Sequence, residues 1–168
     1  MDWKLLVTSS VVAAFIAFVM NAYLRWQEKS DKSRALLRGI LFEIDHAQEC
    51  GEAYVQEAAD RPIWSPAYRV DSDFMREGLP SLAEHRALRE SESRDVHQLL
   101  IYANEVNRCL DQIAALTPRI HEDETAKRAT RETGRARSKF KRILEQVPLA
   151  RKAVKQALER LAWFERSD

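Results

Sequence analysis

Glu43, His46 and Cys50 are the residues whose types and spacing come nearest to chemistry in this 168-residue chain. Steps of three and four residues put them on one face of a helix. Carboxylate, imidazole and thiolate are all metal ligands. A Glu-x-x-His pair is half of the motif that carries a di-iron centre in helical bundles, and the other half must come from a second helix. No second copy exists: His85, His97 and His121 are preceded at three residues by Leu82, Arg94 and Pro118. The ligand set is incomplete, and no metal is expected. The glycines, at 39, 51, 78 and 134, are nowhere clustered into a phosphate-cradling loop. No local pattern sets a nucleophile beside a base. The expectation is a non-enzyme with no catalytic residue and no cofactor.

Charge carries the next signal. The formal net charge is only +1, so the chain is not covered by one sign. A basic run nevertheless stands out: Lys127, Arg128, Arg131, Arg135, Arg137, Lys139, Lys141 and Arg142, opposed only by Glu132. Three partners fit it. Glu43, Asp45, Glu49, Glu52, Glu57 and Asp60, with no Lys or Arg among them, could form interhelical ion pairs. Anionic lipid headgroups are the second, at about 1 kcal/mol per basic residue near the surface. They require the middle helix to return toward a membrane so that the last helix starts there. Nucleic-acid phosphates are the third. They are the least favoured, because no aromatic interleaving and no base-reading motif accompanies the charges.

The elements that would hold these residues begin with an apolar rod. Leu5 to Leu24 is twenty residues without a charge, about 30 Å of helix and the thickness of a bilayer core. Its Leu, Val, Ile and Phe residues each favour insertion by about 0.3–0.6 kcal/mol, which outweighs Thr8, Ser9, Ser10 and Asn21. Trp3 flanks one end, and Tyr23 and Trp26 the other, as interfacial anchors do. A cleaved signal peptide fits less well: with Ala22 at the cleavage site, Met20 would occupy the position that requires a small residue. Arg25, Lys29, Lys32, Arg34 and Arg38 follow the rod. The positive-inside rule then puts the amino terminus outside and the carboxyl-terminal domain in the cytoplasm of an inner-membrane, single-pass protein. Ser9, Ala13, Ala17 and Asn21 make a small-residue row at four-residue spacing. Such a row suits close packing against a second span.

Beyond the rod, four stretches are expected: 1–25 as transmembrane helix, 26–60 as a stalk and first bundle helix, 61–80 as connector, and 81–168 as the remaining bundle helices. The stalk carries Leu37, Leu41, Ile44, Val55 and Ala58 at helical spacing, widened by Leu36, Ile40, Ala47 and Tyr54. Pro62, Pro66 and Pro80 interrupt the connector, where a short helix is expected around Phe74–Glu77, ended by Gly78. The connector either folds over the bundle or exposes Trp64 and Tyr68 as anchors for a partner. Val96, Leu99, Ala103, Val106, Leu110 and Ile113 mark the next helix, which could begin at Ser81 and stops at Pro118. The last helix, from near Arg119 to about Arg166, has a seam through Ala136, Phe140, Ile143, Val147, Ala150, Val154, Ala157, Leu161 and Phe164, with a bend expected at Pro148. Cys50 and Cys109 imply no disulfide framework.

The fold class expected is all-α, with one N-terminal transmembrane helix continuing into an antiparallel three-helix bundle or coiled coil. The function expected is assembly or anchoring. The partners would be membrane lipids together with a second copy of the chain or another membrane-associated protein. In layout the chain is similar to phage inner-membrane spanins, which also join one amino-terminal span to a helical domain. That resemblance implies a periplasmic domain, against the charge rule, and carries no site residues. A membrane-tethered module binding nucleic acid or anionic lipid through the basic last helix is the further alternative.

Overall fold

The computed structural model describes residues 3–57, 68–119 and 123–166, with backbone only at 3–11, 119 and 164–166. The described residues form an all-α bundle of four helices: α1 (Trp3–Glu57), α2 (Asp73–Glu84), α3 (Glu90–Leu116) and α4 (Asp123–Arg166). A 3₁₀ turn at Thr117–Arg119 follows α3.

No proline interrupts α1, which explains its 55-residue length. From Ser30 it enters the bundle, and Ser30, Ser33, Leu37, Ile40, Ile44, Ala47, Gly51 and Tyr54 form its buried seam. These steps of three and four are the spacing of a helix that packs along its whole length. Leu41 and Val55, expected in the stripe, lie only partly buried beside it. All six expected seam residues of α3 are buried, and so are those of α4 from Ala136 to Ala157. Pro148 lies within α4, and both it and Pro80 of α2 are exposed. On an outer face, water satisfies the carbonyl that proline leaves without a donor.

The chain runs up and down four times. Phe74 of α2 lies across Gly39 of α1, Gly78 beside Leu36 and Ile40, and His85 against Ser33, so α2 is antiparallel to α1. Glu92 meets Arg160 and Glu105 meets Lys139, which makes α4 antiparallel to α3. Arg151 reaches Asp45, and Arg34 reaches the carbonyl of Leu161. The bundle therefore has four helices where three were expected. The added helix, α2, runs through Pro80 to Glu84, and α3 starts at Glu90 rather than Ser81. At Gly39 the Phe74 ring of α2 lies directly on the α1 backbone, and a Cβ there would overlap the ring.

Val12 to Lys29 are exposed on every side, and the portion of α1 from Val12 to Leu24 projects about 20 Å beyond the bundle. Among the described residues, no helix is long and apolar enough to cross a membrane. Of the charge-free run Leu5–Leu24, only the side chains from Val12 onward are described.

Candidate functional site

The Glu43, His46 and Cys50 face is used by the scaffold. Glu43 is 2% exposed and accepts the N–H of Phe74 at 2.7 Å and of Met75 at 2.8 Å. It thereby closes the N-terminus of α2, where Ser72 makes no side-chain cap of its own. Burial pushes the Glu43 carboxyl above its ordinary range, against the pull of those two N–H groups. The Cys50 thiol lies 3.5 Å from His46 Nε2, which is 4.0 Å from Asp71. A reactive cysteine needs a depressed pKa. Burial first, then Asp71 and Glu49, push this one up to about 11. Among the described residues, no group of three potential ligands is arranged to hold a metal ion.

At the end of the bundle remote from the projecting rod, polar contacts fasten the connector. Asn107 donates to the carbonyl of Val70 at 2.8 Å and accepts its N–H at 3.0 Å. Arg69 pairs with Asp111 at 2.6 Å. Tyr68 is 9% exposed, packs edge-on against Tyr54 with ring centroids 5.2 Å apart, and donates to Glu57. The exposed-anchor expectation is therefore corrected for Tyr68: its ring is worth more in the core than in water. Trp64 lies outside the described residues, as do Asp60 and the side chain of Ser9. Ala13, Ala17 and Asn21 fall on the exposed rod, with no helix of the bundle against them.

The basic run lies at this same remote end. Phe140 packs beside Gly51 and Tyr54, and Gly51 is about 40 Å along α1 from Leu24. The middle helix leads away from the rod, not back to it, so the premise for lipid contact by this run is absent. The expected pairing with the acidic stretch of α1 is also largely replaced. Lys139 takes Glu105 of α3, Arg135 takes Glu132 of its own helix, and Asp45 is held by Arg151, outside the run. The antiparallel register sets Arg151, not the basic run, opposite Asp45. Arg137 Nε is buried without a hydrogen-bond partner among the described residues. Lys127, Arg128, Arg131, Lys141 and Arg142 are exposed and make no ion pair among the described residues.

The opposite end holds a feature that sequence reasoning missed. Where the α1 seam reaches the rod, its inward positions are Ser30 and Ser33, 7% and 2% exposed. Ser33 Oγ lies 3.1 Å from His85 Nδ1. The Ser30 hydroxyl has no hydrogen-bond partner among the described residues. Both line a crevice of about 180 Å³ together with Trp26, Lys29, Glu84 and Arg86. Arg25 and Lys32 flank it across His85. The turn after α2 donates Arg86 N–H to Ala83 and Ala87 N–H to Leu82, a Schellman motif whose left-handed position normally takes Gly or Asn. Here it is Arg86, at φ 54°. Arg160 braces the turn, donating to Glu92 and to the carbonyl of Ala87. The signal in the sequence was two serines at three-residue spacing, in phase with Leu37 and Ile40. No family model, no curated protein and no solved structure matches the chain.

Proposed function

We propose that the chain is a single-pass inner-membrane tether whose helical bundle is a non-enzymatic assembly module on the cytoplasmic side. The observation that carries this reading is the rod. Val12, Phe15, Ile16, Phe18, Val19, Met20 and Leu24 are 47–72% exposed. They sit on the helix that continues, without a break, into the core. A single-chain fold in water does not leave a continuous apolar surface of this kind uncovered. With Leu5, Leu6 and Val7 added, the run matches the span of a bilayer core. Tyr23 and Trp26, with ring centroids 6.1 Å apart, stand where interfacial aromatics fix the depth of a span.

The assembly reading draws on the remote end. Tethering holds the bundle near a surface and raises the effective concentration of what it meets. The exposed cations Lys127, Arg128, Arg131, Lys141 and Arg142 lie toward the end remote from the rod, where an acidic partner protein would be gripped. Glu43 and Cys50 serve packing, which supports a non-enzymatic role.

The test is topological. A phosphatase that works only in the periplasm, fused after Asp168, is expected to stay inactive in cells, while a cytoplasmic fluorescent reporter at the same place is bright. An active phosphatase would instead support the spanin-like orientation.

A further inference from the structure

We propose that the crevice between α1 and the α2–α3 turn is a binding site for the phosphate of an acidic phospholipid headgroup. The inference rests on the tether reading and goes beyond it by assigning a ligand to this end of the bundle. Three independent observations meet there. The first is position. Lys29 and Ser30 follow Leu24 by five and six residues, about 7–9 Å along the helix. That is the outer edge of the headgroup layer, about 5–8 Å thick on each side, beside a span ending at Leu24.

The second is an unmet donor. Leu37 and Ile40 fill the seam about two and three turns up, yet Ser30 presents a hydroxyl at 7% exposure with no partner among the described residues. A buried hydroxyl left unpaired is costly, and a phosphate oxygen in the crevice would accept from it. The crevice, about 180 Å³, has room for about six waters or a phosphate group with some of its hydration. The third is Arg86. It holds a left-handed backbone that Gly would adopt without strain. Strain of this kind clusters at ligand clamps and active sites. Lys29 and Arg86 line the crevice and Arg25 and Lys32 flank it, against the single carboxylates of Glu84 and Glu28. The balance favours an anion.

Full-length protein in mild detergent is offered a mixture of phosphatidylglycerol and phosphatidylcholine, and retained lipid is counted by native mass spectrometry. The expected result is preferential retention of phosphatidylglycerol. K29Q and R86G should each lower that preference about fivefold. S30L, which removes the hydroxyl and narrows the crevice but leaves the charges in place, should lower it as well. The K141Q/R142Q pair, at the remote end, should leave it unchanged. Equal retention of both lipids by the unaltered chain overturns the proposal. So does an unchanged preference in the K29Q/R86G pair, or an equal loss in K141Q/R142Q, which would make the effect one of bulk charge. Displacement of the lipid by millimolar inorganic phosphate would assign the crevice to a free anion and overturn the lipid source. The tether reading fails separately, if the same chain is released from membranes by alkaline carbonate. A chain that stays in the membrane without lipid preference refutes the crevice site alone.

Discussion

Met75 donates its backbone N–H to Glu43 Oε2 at 2.8 Å, across 32 positions of sequence. The cap of α2 is thus supplied by α1, and the short helix depends on the long one. Glu43→Ala leaves the buried N–H of Met75, and that of Phe74, without an acceptor. A lost cap costs about 0.5–2 kcal/mol and an unsatisfied buried donor about 1–3 kcal/mol. Relief of the burial that raises the Glu43 pKa offsets part of this. The expected loss is about 2–3 kcal/mol in denaturant unfolding, and less in Glu43→Gln, which keeps one acceptor. Hydrogen exchange should quicken first at 74–84.

Glu92 sets an acid limit. Burial by itself would raise its pKa, but the Arg160 guanidinium, the Arg89 N–H and both charges outweigh it, and the carboxyl lies below its ordinary 4.5. A folded-state pKa below the unfolded one gives stability that is present above about pH 4.5 and lost as pH falls through the folded value. Glu92→Gln should therefore be less stable than the unaltered chain at pH 7. The gap should close as pH drops below 4.5. A gap that stays constant across the acid range contradicts the assignment.

Arg86→Gly separates strain from use. Left-handed backbone costs a non-glycine residue about 1 kcal/mol relative to Gly. The variant should unfold at a temperature a few degrees higher than the parent, even as it loses lipid preference. A lower melting temperature would show that the Arg86 side chain supports the fold.

Cys50 gives an alkaline signature. Its thiol is held up to about 11 from an ordinary 9.0. The unfolded chain ionises first, so stability is fully present below about pH 9 and is lost between 9 and 11. Two pKa units correspond to about 2–3 kcal/mol. Cys50→Ala should show a shallower loss over that interval. Iodoacetamide should label Cys50 slowly at neutral pH and about tenfold faster for each pH unit up to 11.

The long helices were legible because their seams are dictated locally: Val96 to Ile113 and Ala136 to Ala157 keep helical spacing, and all of them are buried. The extent of α2 was not. Pro80 reads as a stop in sequence, but its outer face lets the helix pass, and the cap that starts it comes from Glu43, thirty residues away. The partners of the basic run depend on the register of α4 against α1 and α3, which no local pattern encodes. The crevice was hidden for the same reason. It joins Ser30 and Ser33 to His85 and Arg86, residues about fifty positions apart that only the return of α2 brings together.

The tether itself is tested most directly by extracting membranes from cells that make the full-length chain with alkaline carbonate. The account predicts that the chain stays with the lipid pellet and leaves it only with detergent, and that Ala13→Arg, which puts a charge worth about 2.5–3.5 kcal/mol against insertion inside the rod, shifts it toward the supernatant. Full release of the unaltered chain without detergent would contradict the account.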